Sequence, residues 1–115
     1  MNLRQKQSIF AVRVARLILK ADELGYEVTF GEAYRSPEEA ARLAAANQGI
    51  SQSLHTERLA VDLNLFKHGK WLTATEDHRP LGEWWERQSS EGATCCWGGR
   101  FRDGNHYSIA HAGRK

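Results

Sequence analysis

The sequence predicts an α+β domain in which a small antiparallel sheet is flanked by helices. Phe10, Val14, Leu17, Ala21 and Leu24 recur at spacings of three and four, as they must in a helix that buries one stripe. Ala60 to Phe66 alternates apolar and polar residues with the period of a strand. The order helix, strand, helix, strands, helix, strands lacks the repeated strand–helix–strand rhythm of a parallel sheet. With 115 residues, 41% of them apolar, the chain supports one domain, spanning 1–115, around one modest core. No internal repeat, low-complexity tract or Pro- and Ser-rich linker divides it, and Pro37 and Pro80 are its two prolines.

The first helix carries Arg13, Arg16 and Lys20 mostly off its apolar stripe, and Gly25 is a natural C-cap. Tyr26 to Phe30, β-branched and aromatic, reads as a strand. A second helix starts at Ser36-Pro37-Glu38-Glu39, with Ser36 as cap, Pro37 in the first turn and Glu39 completing a capping box. It runs to about Asn47 and ends near Gly49. Ile50 to Leu59 is polar and irregular, which places His55 on a loop. In the alternating strand Val61, Leu63 and Leu65 point one way, and Asp62, Asn64 and Phe66 the other. Lys67-His68-Gly69-Lys70 is a turn, and Trp71-Leu72 returns as a short strand. A helix follows through Leu81, Trp84 and Trp85, with at least one tryptophan in the core and the other able to line a groove. Cys95 to Trp97 and His106 to Ile109 are the last strands. Adjacent cysteines make a strained disulfide and lack zinc-finger spacing, so Cys95 and Cys96 read as reduced thiols, one facing in and one out.

Charge and hydropathy narrow the function. Sixteen Lys and Arg against fourteen Asp and Glu leave a net charge of +2, which gives no electrostatic argument for nucleic acid. No apolar run has the length of a membrane span. The stretch from Ile9 to Leu19 is broken by Arg13 and Arg16, so it is not the core of a signal peptide. The expectation is a protein made in the cytoplasm, without membrane insertion, that needs separate release to act outside it.

The chemistry-bearing residues fall in two segments, Ser53 to Asp62 and Trp97 to Tyr107. His55, Asp62 and His106 supply two imidazoles and a carboxylate, enough to hold one zinc ion with a fourth position left for water. Asp103, three residues before His106, is placed to take a proton from that water. Asp62 is held by a strand rather than a mobile loop, which suits a ligand. Gly98, Gly99 and Gly104 would let the loop carrying Asp103 approach a substrate closely. Arg35, after the first strand, could bind a substrate carboxylate or a developing oxyanion. Each residue also has a bland reading: Asp62 on a solvated sheet face, His55 and His106 as surface histidines, Asp103 in an Asp-Gly turn, Arg35 in a salt bridge to Glu32, Glu38 or Glu39. His68, His78 and His111 read as surface or helix-end histidines.

Together these segments resemble a known pattern. Ser53-x-His55-x-x-Arg58-x-Ala60-x-Asp62 resembles the Ser-x-His-x-x-Gly-x-Ala-x-Asp signature of the M15 zinc metallopeptidases, which include D-Ala-D-Ala carboxypeptidases and dipeptidases and phage L-alanyl-D-glutamate endopeptidases. Tyr34-Arg35-Ser36 resembles the family's Tyr-Arg-Ser segment, and Trp97-Gly98-Gly99 through Asp103-x-x-His106 its C-terminal motif. The blocks keep the family's order from about Tyr26 to Tyr107. The resemblance implies a Hedgehog/DD-peptidase-like fold, one Zn2+ ion on His55, Asp62 and His106, a catalytic base at Asp103, and substrate or transition-state binding by Arg35, with Ser53 as a further substrate contact. It implies a monomeric peptidoglycan hydrolase of the phage or prophage endolysin type, acting on the stem peptide of the cell wall after release to the periplasm. Arg58 departs from the signature Gly, and Ser108 stands where many members have Glu. Two other readings compete: a non-catalytic, zinc-stabilised wall-binding module, and a His-Asn-His nuclease built on His55, Asn64 and His106. The second has the wrong spacing and lacks a basic stripe for a phosphate backbone.

Overall fold

A computed structural model describes residues 1–49 and 52–115, and among them three α-helices flank an open five-stranded antiparallel sheet. In chain order the elements are α1 (Leu3–Glu23), β1 (Glu27–Phe30), α2 (Pro37–Ala45), β2 (Ala60–Lys67), β3 (Lys70–Leu72), α3 (Arg79–Glu86), β4 (Cys95–Trp97) and β5 (His106–Ile109). Short 3-10 helices cover Leu54–Glu57, Thr75–His78 and Gly98–Phe101. The α+β class expected from the sequence is the one observed. No helix among the described residues is long and apolar enough to cross a membrane.

Local chemistry sets the helix ends. Asn2 caps α1 through a reciprocal pair of hydrogen bonds with Gln5, and Gly25 takes a φ of +89° just past its end. Ser36 caps α2 by accepting from the Glu39 N–H. The expected return bond from Glu39 is not made, because the Arg42 guanidinium takes both its carboxylate oxygens. That helix stops at Ala45, before the predicted Asn47: Asn47 itself adopts φ +56°, and the Gln48 N–H bonds back to the Leu43 carbonyl. Tyr26, expected in the first strand, precedes it. The predicted loop from Ile50 to Leu59 begins on two residues outside the described ones; its remainder holds a 3-10 turn that carries His55.

The long central strand β2 organises the sheet. Its first residues pair with β5 (Asp62 opposite His106, Val61 opposite Tyr107), its later ones with β1 on the other edge and with β3 through a hairpin. Strand β4 then pairs with β5. Alternation divides the sheet as the sequence foretold. Val61, Leu63 and Leu65 join Trp97, Tyr107 and Ile109 in the core, under Phe10, Leu17 and Ala21 of α1 and Leu81 and Trp85 of α3. Trp85 is the buried tryptophan of its pair, and its indole donates to the Ser108 carbonyl at 3.0 Å. Trp84 packs at the core's margin. Cys95 is buried and Cys96 half-exposed, and both are free thiols, as expected. The Arg13 guanidinium reaches off the α1 stripe to the Ala93 carbonyl and the Cys95 Sγ.

Helix α3 lies so close to β4 that Gly82 is required at the crossing, since a Cβ there would overlap the Trp97 ring. Gly→Ala ordinarily favours a helix by about 1 kcal/mol. Here the overlap reverses the sign, and Gly82→Ala should destabilise the fold by about 1–3 kcal/mol, read as a lowered urea midpoint at constant slope.

Candidate metal centre

Backbone pairing brings Asp62 and His106 together. The Asp62 N–H donates to the Glu32 carbonyl and its own carbonyl accepts from Gly31, both at 2.8 Å, so its backbone groups are turned toward the β1 side. Across β2 and β5, Asp62 and His106 therefore form a non-hydrogen-bonded pair, the kind in which opposed side chains stand closest. His106 Nδ1 lies 3.4 Å from Asp62 Oδ1.

His55 arrives from the 3-10 helix. Ser53 caps that turn by accepting from the His55 N–H at 3.1 Å, and the His55 carbonyl accepts from the Arg35 N–H. Its Nδ1 donates to the Ala33 carbonyl at 2.9 Å. A carbonyl can only accept, so Nδ1 carries the proton of the neutral ring and Nε2 turns its lone pair toward Asp62 Oδ1, 3.3 Å away. Such a tie through the second ring nitrogen is how proteins orient metal-binding histidines.

Two imidazole nitrogens thus converge on one carboxylate oxygen, and donor atoms of His55, Asp62 and His106 lie within 4.8 Å of one another. Both histidines are buried and Asp62 is half-buried. Asp62 Oδ1 has no aligned hydrogen-bond partner, although it is sealed from solvent. Lone pairs facing each other in a buried space repel unless a cation or a proton sits among them. The group has the donor chemistry to hold a metal ion.

Electrostatics agree with that geometry. Burial pushes the Asp62 carboxyl upward, but His106 and His55 outweigh it and hold it at about 2. Burial opposes charge on His55, while Asp62, the Ala33 carbonyl and Glu32 raise its affinity for a proton above the ordinary value. Asp103 lies on the exposed rim, with Oδ2 3.9 Å from His106 Nδ1. Partial burial lifts its carboxyl above the usual range against the pull of His106, with Asp62 adding to the rise. A carboxylate shifted that way is a better base.

Every site residue read from the sequence reaches this centre. His55, Asp62, His106, Asp103, Arg35 and Ser53 all line one cleft of about 370 Å3. Arg35 faces the cleft and also makes the ion pair foreseen for it, with Nε 2.6 Å from Glu32 Oε1. Ser53 uses its oxygen on the His55 N–H, so its cap positions a proposed ligand. Sequence reasoning missed Lys115 and Gln48 on the cleft wall, and Phe101, whose ring stands 5.8 Å from that of His106. Lys115 and Gln48 come in from segments outside the motifs, and Phe101, inside the Trp97–Tyr107 segment, occupies a position with no motif residue to mark it. His78, expected at a surface or helix end, does start α3 but is buried, with Nδ1 2.9 Å from the Tyr107 hydroxyl.

The glycines of the Trp97–Tyr107 segment have a role other than the one expected. A Cβ on Gly98 would strike the Asp103 carbonyl and His106 Cβ, one on Gly99 the Trp97 ring, and one on Gly104 would come within 2.6 Å of Thr75 Cα. The space beside them is filled by protein, not left for substrate. Arg58 also gains an explanation. It ends the 3-10 turn at φ +56°, the left-handed region where glycine is unstrained, and its guanidinium sits 4.1 Å from the centre of the Tyr34 ring.

The chain matches no protein-family model and no curated protein.

Four outcomes follow from this geometry. A divalent cation at a hundred times its Kd should raise the unfolding free energy by about 2.7 kcal/mol, a gain that Asp62→Ala should remove. Arg58→Gly should change stability by less than about 1 kcal/mol, because relief of left-handed strain offsets the lost ring contact and greater unfolded-chain freedom. Arg58→Val, branched at Cβ and left in the same conformation, should cost more than about 1 kcal/mol by the same denaturation measurement. Finally, burial lowers the His78 pKa to about 4 from 6.5. The unfolded chain binds the extra proton between those values, so the contribution is intact above pH 6.5 and is lost as pH falls toward 4, by up to about 3 kcal/mol. His78→Asn should flatten that part of the stability–pH curve.

Proposed function

We propose that this chain is a zinc-dependent peptidoglycan peptidase that hydrolyses a peptide bond in the stem peptide, acting as an endolysin of phage or prophage type. The observation that carries this reading is the convergence of His55, Asp62 and His106 on one point, with Asp103 on the rim beside them. A purely structural metal site needs no adjacent base, and structural zinc sites are usually closed by four protein ligands. This site offers three. Two imidazoles and one carboxylate suit zinc among the common divalent ions.

In this reading zinc, when bound, supplies a Lewis acid and acidifies a water molecule. Asp103 accepts the proton as the substrate carbonyl is attacked and hands it to the leaving amine. The Arg35 guanidinium, held by Glu32, takes a stem-peptide carboxylate or the oxyanion of the tetrahedral intermediate. Ser53 holds the His55 backbone and has its hydroxyl proton available to substrate. The peptide stem of the cell wall is the partner, reached after release to the periplasm, and the working unit is a monomer.

Asp103→Ala should retain stoichiometric zinc while turnover falls by about 100-fold or more. Loss of zinc from that variant would make Asp103 a ligand instead of a base. Outer-membrane-stripped Gram-negative cells should lose turbidity on addition of the protein, and a chelator should stop the loss. Mass spectrometry of digested muropeptides should show a broken amide. Intact muropeptides alongside firm binding to sacculi would instead favour the non-catalytic wall-binding module.

A further inference from the structure

We infer that the sheet face beyond Asp62 carries a carbohydrate subsite, with Trp71 stacked on Phe66 as its platform, that binds an N-acetylated hexosamine of a glycan strand. The core lies under one face of β2. The other face presents Asp62, Asn64 and Phe66 in succession. Trp71 is paired opposite Phe66 in the β2–β3 hairpin, with the rings nearly parallel at 21° and their centres 6.4 Å apart. The indole remains 57% exposed, so most of it faces solvent.

Beside this stack is a small pocket of about 200 Å3, to which Trp71, Asn64, Asn105, Thr75 and Arg102 contribute. Its chemistry is that of sugar recognition. The face of an indole carries partial negative charge, and the axial C–H groups of a pyranose ring, which are slightly positive, settle flat on it. Hydroxyl and acetamido groups then need neutral donors and acceptors at the ring's edge. Asn64 Nδ2 is engaged with the Thr29 hydroxyl at 3.2 Å, and its amide oxygen accepts no hydrogen bond among the described residues. The Asn105 amide and the Arg102 guanidinium make no side-chain hydrogen bond or ion pair among the described residues. An apolar peptide would not require this polar rim, and an anionic polymer would find one arginine opposed by Asp103.

Position supports the same occupant. Asp103 lines both this pocket and the candidate metal cleft, so the two adjoin across its side chain. From Asp62 to Phe66 is four residues along a strand, or about 13 Å. An extended peptide covers that distance in about four residues. A sugar on Trp71 and a scissile amide at the metal centre can therefore belong to one substrate if the bond cut lies among the first residues of the stem, near the glycan. That link to cleavage rests on the peptidase reading, whereas sugar binding does not require turnover.

The test uses the full chain and a tetramer of N-acetylglucosamine, followed by heteronuclear NMR. The tetramer should shift the Trp71 indole and the Asn64 and Asn105 side-chain amide resonances, and Trp71→Ala should weaken its binding by about tenfold or more, with Trp71→Phe in between. The far-ultraviolet spectrum of each variant checks the fold. In parallel, the zinc-loaded protein digests a sugar-linked muropeptide and the same stem peptide without sugar. Here kcat/KM should be about tenfold higher for the linked substrate, and the ratio should fall to about one in Trp71→Ala. Tetramer binding at Trp71 with no cleavage of either substrate would uphold the subsite and reject the peptidase. Cleavage with no tetramer binding and no effect of Trp71→Ala on the ratio would reject the subsite and leave the peptidase standing. Resonance shifts confined to the His55–His106 cleft would also overturn it.

Discussion

The pairing of Asp62 with His106 across β2 and β5 is the constraint on which the site depends. An antiparallel ladder alternates two kinds of opposed residues, and in the non-hydrogen-bonded kind the side chains stand closer together. Asp62 is placed in that kind because Gly31 and Glu32 take up its backbone groups on the far edge. A slip of one residue in either strand would turn one of the two side chains to the opposite face, into the core beside Val61 or Tyr107. The register of the sheet and the geometry of the candidate metal centre are therefore one fact. Leu63, Leu65, Trp97 and Tyr107, which bury the core face, hold Asp62 and His106 on the other.

Everything else at the site supports that pair. The Ser53 cap and the Ala33 carbonyl fix the backbone and ring of His55, so the third donor comes in from a short turn with little freedom. Trp97 acts from below: its ring fills the space over Gly82 and Gly99, and its indole donates to the Gly104 carbonyl at 2.7 Å. The loop bearing Asp103 is thereby pressed onto the end of the sheet. Gly98 completes the arrangement, because any side chain there would displace Asp103 or His106. What looks like a flexible glycine loop is a close-packed one, which fixes Asp103 beside His106.

Burying this polar group is costly in itself. Three polar groups meet with Asp62 Oδ1 and His106 Nε2 left without partners, and the neighbouring His106 and His55 offset the burial of the Asp62 carboxylate. The remainder of that sheet face adds little to the core: Trp71, stacked on the partly buried Phe66, is largely exposed, and the Asn64 amide nearby is held by the Thr29 hydroxyl. The core and the candidate site lie on the two faces of one strand.

Much of this was legible in the sequence. Alternation from Ala60 to Phe66 assigned Asp62 to the face opposite the core, the apolar stripe assigned α1, and Ser36-Pro37 marked the start of α2, because each rests on local geometry with a fixed period. The residue types at 55, 62, 103 and 106 sufficed to nominate donors and a base. Local sequence did not reveal that Arg58 is left-handed, that the glycines are filled by Trp97 and Thr75, that His78 is buried, or that Glu39 prefers Arg42 to its capping partner. Those outcomes depend on neighbours remote in the chain or on competition between nearby partners. The sequence by itself determined which groups were available and which face of the strand each would take, since side-chain alternation is a property of a single segment. Only the tertiary structure decided that His55 Nε2, Asp62 Oδ1 and His106 Nδ1 meet at one point, because strand register and loop closure depend on contacts between segments that no local pattern encodes.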